Sequence, residues 1–211
     1  MQATGSAHSR EGVVGVVLAG GKSLRLGRDK ALLQLHGEGE PCLLLRTAGL
    51  LRAVCGEVVI AGRKVSGWRH IPDPGLGPAG GIAAALEHSG RACLVLPCDL
   101  PFMTRPVLET LLEARARGTP DTLLTAYKNF QSGRVEFLVA VYEQGALPYF
   151  QAGITLGLLK TGLMLPEKAQ RHIACKPEND RYFFNINTPA DLSFVLRRQK
   201  GMLRGNADLL S

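Results

Sequence analysis

The sequence predicts an α/β fold built on a mainly parallel sheet, and three observations carry that prediction. Short apolar runs recur at Val13–Leu18, Glu57–Ala61 and Ala92–Pro97. They lack the polar alternation of a half-exposed strand, as strands covered on both faces do. Segments with helical spacing of apolar residues separate these runs, which is the order of strand–helix–strand units. Finally, Gly20, Asp73 and Asp99 each stand just after a strand-like run. In such sheets ligands sit beyond the carboxyl ends of strands, so these three residues are expected to converge on one crevice.

Each element has its own signal. Val13–Leu18 is the first buried strand, and Pro41–Val54 carries leucines at helical spacing. Glu57–Ala61 is a second strand stopped by Gly62, and Arg69–Pro72 is a short third. Ala79–His88 is small and apolar, as suits a helix lying close on a sheet. Ala92–Pro97 is a further buried strand. Pro106–Arg117 is a helix with Pro near its start and Gly118 after its end. Thr122–Ala126 and Val135–Tyr142 follow as strands. Leu156–Leu165 is expected to be helical, and Glu167–Arg181 to be a loop at or near the substrate site. Thr188, Pro189 and Asp191 have the order of a capping box that opens a last helix.

The chain has 211 residues and 45% hydrophobic residues, enough for one domain with a full core. We expect a single domain over 1–211, with a disordered extension at 1–11 and a flexible tail at 200–211. Aromatic residues are only 6%, too few for the stacking platforms of single-stranded nucleic-acid binders. The net charge of +7 comes from 25 basic and 18 acidic residues. Its excess lies in a glycine-rich loop and in Arg197, Arg198, Lys200 and Arg204, which read as a solvated helix end. Charge gathered in a glycine loop favours a small polyphosphate ligand over nucleic acid. The five cysteines include no C-x-x-C, so neither a disulfide framework nor a zinc site is expected, and Cys93 and Cys98 read as buried thiols. The five histidines show no metal-ligand spacing. No long apolar span or signal peptide is seen, so no membrane partner and a cytoplasmic location are expected.

The most informative stretch is Val16–Lys30. An apolar strand ends in Gly20-Gly21, and Lys22, Arg25, Arg28 and Lys30 follow at once. Successive glycines let the backbone turn sharply and aim N–H groups at an anion, while the cations add charge at the same place. Val16 stands where a P-loop needs glycine, and the G-x-G-x-x-G spacing is missing from this turn. A second glycine turn, Asp73–Gly81, does contain G-x-G-x-x-G from Gly75 to Gly80. Two prolines interrupt it and no long buried strand precedes it. It fits better as a turn contacting base or ribose, with Asp73 accepting hydrogen bonds. Asp99, just past the strand Ala92–Pro97, is a candidate Mg²⁺ ligand, because Mg²⁺ takes one or two carboxylates together with phosphate oxygens and waters. Asn185 and Asn187 precede the last helix and are left unexplained by its cap. They are candidates for contact with substrate phosphate or metal-bound water.

The stretch from Leu18 to Lys30 resembles the signature of nucleotidyltransferases that activate small molecules with a nucleoside triphosphate. It matches at Leu18, Ala19, Gly20, Gly21, Ser23, Arg25, Leu26, Gly27, Asp29 and Lys30. Together with D-x-G-x-G-P-x-x-G-I from Asp73, P-C-D-x-P-F from Pro97 and F-x-N-I-N-T-P-x-D-L near the end, the chain is similar to the molybdenum cofactor guanylyltransferases. That resemblance implies a three-layer Rossmann-like fold with a mainly parallel, mixed sheet. It implies transfer of GMP from GTP to the terminal phosphate of molybdopterin or the molybdenum cofactor, with release of pyrophosphate. It also implies Mg²⁺ as cofactor and transient contacts with cofactor-insertion proteins. Leu18, Ala19, Gly20, Gly21, Lys30, Asp73 and Asp99 are the implied nucleotide-binding set, with Asp99 the metal ligand. Gly77, Gly80, Asn185 and Asn187 are expected on the substrate side, and Arg25, Lys30 and Asp99 in the catalytic set. The chain departs from the family pattern at Ile60-Ala61-Gly62 and at Glu136-Phe137-Leu138. A cytidylyltransferase or another small-molecule phosphate nucleotidyltransferase is the nearest alternative. A dinucleotide-binding protein or a non-catalytic cofactor carrier lies outside the class.

Overall fold

A computed structural model describes residues 12–20, 26–35, 37, 39–129 and 131–207, with side chains as far as residue 198. Strands β1 (Val13–Leu18), β2 (Glu57–Ala61), β3 (Arg69–Ile71), β4 (Ala92–Pro97), β5 (Leu124–Lys128), β6 (Val135–Tyr142) and β7 (Gln170–Ala174) form one sheet. Their order across it is β3-β2-β1-β4-β6-β5-β7. The pairs β1–β2, β1–β4, β2–β3 and β5–β7 are parallel. Only β6 runs against its neighbours, β4 and β5. A short hairpin explains the reversal. Asn129 Oδ1 accepts from the N–H groups of Gln131 and Ser132, both at 3.0 Å, and Gly133 takes φ 72°. So brief a connection cannot cross the sheet to make a parallel pair.

Helices α1 (Leu43–Val54), α2 (Gly77–Ser89), α3 (Arg105–Ala116), α4 (Leu147–Thr155) and α5 (Pro189–Ala207) complete the framework. The strand side chains divide with period two. Val13, Val17, Ile60, Leu94 and Leu96 join the core of α1 and α3. Val14, Val16, Val59, Ala61, Cys93 and Val95 join that of α2 and α4. Both faces of the sheet are therefore covered, which is why its central strands read as unbroken apolar runs. The result is the three-layer α/β arrangement that the sequence implies, with a mixed sheet. A third, smaller cluster joins Leu26, Leu35 and Leu43 to Ile186 and Val195, so α5 docks where the glycine-rich loop returns to α1.

The structure corrects four expectations. The helix expected at Leu156–Leu165 lies earlier, at Leu147–Thr155. Gly157 at φ 75° stops it, and Leu156, Leu158, Leu159 and Leu163 of the expected helix are exposed, Leu156 at 76%, while Leu165 is buried. Glu167–Arg181 is not a loop throughout. Gln170–Ala174 is the edge strand β7, and a 3₁₀ segment spans Pro177–Phe183. An edge strand is only half covered, so its polar sequence hid it. Helix α2 begins at Gly77, which makes Gly80 a helical residue instead of part of the preceding turn. Cys98 is half-buried, whereas Cys93 is fully buried. No helix among the described residues is long and apolar enough to cross a membrane.

Gly15, in the middle of β1, lets α1 approach the sheet. A Cβ there would lie 2.9 Å from Leu51 Cβ and 3.2 Å from Val58 Cγ2. Both neighbours are packed, and overpacking of this kind costs about 1–3 kcal/mol. Gly15→Ala is expected to lower the unfolding free energy by that amount, read as a lower urea midpoint with an unchanged denaturant slope by circular dichroism.

Candidate active site

Three loops leave the carboxyl ends of β1, β2 and β3 and press together. The Ala19 N–H donates to the Ala61 carbonyl at 3.0 Å, and the Gly62 N–H to the Ile71 carbonyl at 3.0 Å. Gly62 has φ 89°, and a Cβ on it would meet Gly20 N and Cα at 3.0 Å and Asp73 Cβ at 3.2 Å. A Cβ on Gly20 would overlap Asp73 Oδ2. Glycine is thus required at 20 for the carboxylate to lie against the turn, and at 62 for both the space and the dihedral. Asp73 Oδ1 accepts from the Gly75 N–H at 2.8 Å, which folds the turn that leads into α2. The first turn of α2 has no side-chain cap. Its N–H groups and the positive end of the helix dipole are left to other partners. Gly80 is buried against Pro74 and Leu76, and Gly81 against Leu18, so α2 sits directly on the end of β1.

A second group gathers at the end of β4. Asp29 Oδ1 caps the 3₁₀ turn Lys30–Leu32 through the Ala31 N–H at 3.1 Å. Its Oδ2 accepts from Arg63 at 2.5 Å. Lys30 leaves this clamped turn and donates from Nζ to Asp99 Oδ2 at 3.0 Å and to Asn187 Oδ1 at 2.8 Å. The Ile186 N–H donates to the Asp99 carbonyl at 3.1 Å, which closes the ring Lys30–Asp99–Ile186–Asn187. The capping box forms as its sequence predicts. Asp191 Oδ2 accepts from the Thr188 N–H, and the Asp191 N–H donates to Thr188 Oγ1. The N–H of Asn187 holds the Asp191 carboxyl below the usual range, helped by Thr188. Burial, reinforced by the charge of Asp99, pushes the Cys98 thiol up to about 12. It is therefore protonated at neutral pH and is no thiolate nucleophile.

The two groups are neighbours. Leu18 and Pro97 are paired across β1 and β4, so Gly20 and Asp99 each lie two residues past paired positions. The structure thus gathers Leu18, Ala19, Gly20 and Asp73 at one strand end, with Gly77 and Gly80 in the adjoining turn of α2. Lys30, Asp99 and Asn187 meet at the next strand end. Asn185 is exposed and takes no part in that network. Gly21 and Arg25 lie outside the described residues. Sequence reasoning missed Arg63, whose only signal was its place directly after the strand-ending Gly62. It also treated Asp191 as a cap alone.

One atom tests the site for a divalent cation. Asp99 Oδ1 is buried and has no hydrogen-bond partner among the described residues. A buried carboxylate oxygen without a donor is costly unless a cation meets it. The described residues hold no cluster of three metal-ligating side chains. A single carboxylate suits an ion whose remaining ligands are phosphate oxygens and waters.

With this geometry in view, comparison with known proteins decides the family. A family model described as a MobA-like NTP transferase domain matches residues 15–158. The chain belongs to this family. It is 31% identical to a probable molybdenum cofactor guanylyltransferase of Chloroflexus aggregans, over 86% of this chain and 92% of that one. A protein of the same description from Pelotomaculum thermopropionicum is 32% identical, over 84% and 89%. A solved structure, molybdopterin-guanine dinucleotide biosynthesis protein A from Archaeoglobus fulgidus, superposes with a TM-score of 0.74. It is 25% identical and covers 89% of this chain and 99% of its own. This chain is accordingly a nucleotidyltransferase with the Rossmann-like α/β fold of its relatives, and a requirement for a divalent metal is consistent with that membership.

The Gly20–Asp73 contact gives a direct test. Gly20→Ala pushes the Asp73 carboxylate away and disrupts the Asp73–Gly75 turn without touching the core. Isothermal calorimetry should show nucleoside triphosphate affinity falling by about tenfold or more, of the order expected when a polar site is left mispaired. The thermal midpoint should move little.

Proposed function

We propose that this chain transfers GMP from GTP to the terminal phosphate of molybdopterin or the molybdenum cofactor, giving the guanine dinucleotide cofactor and pyrophosphate. The observation that carries this reading is the contact group Lys30–Asp99–Asn187, with Asp99 Oδ1 unpartnered, beside the glycine turn at Gly20 and Asp73. A cation for phosphate, a carboxylate for metal and a glycine turn for close approach stand on adjoining strand ends. The names of the Chloroflexus and Archaeoglobus relatives supply the substrate class.

The reaction needs little covalent chemistry from the protein. A terminal phosphate oxygen of the acceptor, already ionised at neutral pH, forms the new bond to the α-phosphorus of GTP. The bond to the β-phosphate oxygen breaks, and its electron pair leaves with pyrophosphate. No general base is required. The barrier is repulsion between two anions, so positioning and charge neutralisation do most of the work. The backbone of Leu18, Ala19, Gly20 and Gly21 holds the triphosphate, and Arg25 and Lys30 offset its charge. Asp99 would hold Mg²⁺, which when bound polarises the α-phosphate and eases departure of pyrophosphate. Backbone groups around Leu18–Gly20 and the Asp73 turn would recognise the guanine edge.

The end of β4 is the proposed acceptor side. β4 and β6 are paired only as far as Val95 and Ala140, although β4 continues to Pro97. β6 also shifts register against β5, from Ala126–Ala140 to Lys128–Val135. The end of β4 is thus unpaired with β6, and the acceptor is proposed to lie between Asp99 and this bulged part of β6. Gly77, Gly80, Asn185 and Asn187 complete the proposed substrate contacts. The cytoplasm is the proposed compartment, and cofactor-insertion proteins that would receive the product are proposed as transient partners.

Pyrophosphate release with each of the four nucleoside triphosphates, with and without molybdopterin, tests this reading. Release with GTP that depends on molybdopterin is expected. In competition at equal concentrations GMP should be incorporated well ahead of CMP, because a site built for the guanine edge leaves groups unpaired with cytosine. Faster incorporation of CMP would replace the guanylyl reading with the cytidylyl one. Asp99→Asn should lower turnover by about 10²- to 10³-fold, the size of loss seen when one preorganised electrostatic contact is removed. Its circular dichroism spectrum should match that of the parent.

A further inference from the structure

We infer that Asp191 is a positioning residue for Lys30, acting through Asn187, so that the first turn of α5 sets the lysine of the active site. The inference rests on the reading of Lys30 as a phosphate contact and goes beyond it.

A carboxylate at the third position of a helix ordinarily closes the cap and nothing more. Asp191 does more. Its Oδ2 accepts from the Thr188 N–H at 2.8 Å and also from the Asn187 N–H at 2.9 Å. One oxygen therefore holds the peptide groups on both sides of the Asn187 Cα. The Ile186 N–H, bonded to the Asp99 carbonyl, holds the chain one residue earlier. Beneath this segment Ile186 and Val195 are buried with Leu26, Leu35 and Leu43. The Asn187 side chain thus leaves a backbone fixed by hydrogen bonds and seated on a small core.

Lys30 needs such a guide. Its ammonium is a point charge on a long stem with much rotamer freedom. Its backbone is fixed by Asp29, which caps the turn and pairs with Arg63. Its Nζ is fixed by Asp99 Oδ2 on one side and Asn187 Oδ1 on the other. Because lysine can only donate, Asn187 must turn its oxygen toward Lys30, which leaves Nδ2 to donate to an anion in the site. Displacing Asn187 would disturb both donors at once. The hydrogen bonds of Asp191 go to the backbone of Asn187 and Thr188, so its effect on Lys30 runs mainly along Asp191–Asn187–Lys30, with its own charge a lesser contribution.

A double-mutant cycle with two ligands tests the inference. Asp191→Ala, Lys30→Ala and the double variant are titrated with GTP and with guanosine in Mg²⁺ buffer by calorimetry, and their thermal unfolding is recorded. Asp191→Ala is expected to weaken GTP by roughly 5- to 50-fold, the range of coupling between residues of one network, while leaving guanosine unchanged. In the Lys30→Ala background its further effect on GTP should be clearly smaller, the remainder belonging to the Asn187 amide. Asp191→Glu should restore most of the affinity, since glutamate also closes a capping box. Thr188→Ala removes the hydroxyl half of the cap but keeps the bond from Asp191 to Asn187. It should lower the melting temperature while sparing GTP affinity. Should Asp191→Ala fail to fold, Asp191→Asn takes its place in the same cycle. Additive losses, equal losses for GTP and guanosine, or a loss in Thr188→Ala as large as that in Asp191→Ala would overturn the inference. If Lys30→Ala alone weakens both ligands equally, the phosphate role of Lys30 fails, and the positioning role fails with it. If Lys30→Ala weakens GTP selectively but the cycle is additive, only the role of Asp191 falls.

Discussion

The contact between Lys30 and Asp99 is the interaction on which the site depends. It joins the limb that returns from the glycine turn to the end of a neighbouring strand, and Asn187 brings a third segment to the same ammonium. The side chains are largely covered, with relative exposures of 20% and 18%. A carboxylate so placed carries a desolvation cost that an adjacent cation offsets. Lys30 offsets it at one oxygen only. The other oxygen is buried and without a donor, so the pair carries a built-in demand for a second positive charge. An arrangement that neutralises half a carboxylate is stable enough to persist and still suited to receive a cation with its phosphate ligands.

Packing makes that contact possible. Gly20 and Gly62 remove the side chains that would keep the loops of β1, β2 and β3 apart. Gly81 lets α2 rest on Leu18, and Gly15 lets α1 come close beneath the sheet. The same close approach that stabilises the layers brings backbone N–H groups, the uncapped start of α2 and Asp73 to one rim. The small core of Leu26, Leu35, Leu43, Ile186 and Val195 then brings the C-terminal helix to the opposite side of Lys30. Stability and the proposed site share these residues, since the loops of that site are held by the contacts that close the core.

The charge arrangement also explains why the site can work without a side-chain base. Its acidic groups are each engaged in positioning: Asp29 on a turn and on Arg63, Asp73 on Gly75, and Asp191 on Asn187 and Thr188. Cys98 beside Asp99 stays protonated at neutral pH. Reaction between two phosphorylated anions calls for cations and fixed dipoles, which are the groups this rim presents.

Local sequence determined much of this protein. The buried strands, the helices near α1 and α3 and the capping box were legible because each rests on neighbouring residues: apolar runs, helical spacing and an Asp three residues from a Thr. The strand-end positions of Gly20, Asp73 and Asp99 were legible too, since the chain order of an α/β sheet sends them to one edge. Other features were decided only by tertiary structure. β7 is polar because it is an edge strand, and its pairing with β5 depends on residues 46 positions away in the chain, as in Leu124 with Gln170. The leucines of 156–165 imitate a helix, but Gly157 breaks the pattern and all of them except Leu165 are exposed. Arg63 and Asp191 carried no chemical pattern of their own. Their roles come from partners at Asp29 and Asn187, and the contact of Lys30 with Asn187 spans 157 residues. Periodicity and turn chemistry report what a residue does to its neighbours in sequence, whereas hydrogen bonds between distant loops exist only once the sheet has set those loops side by side.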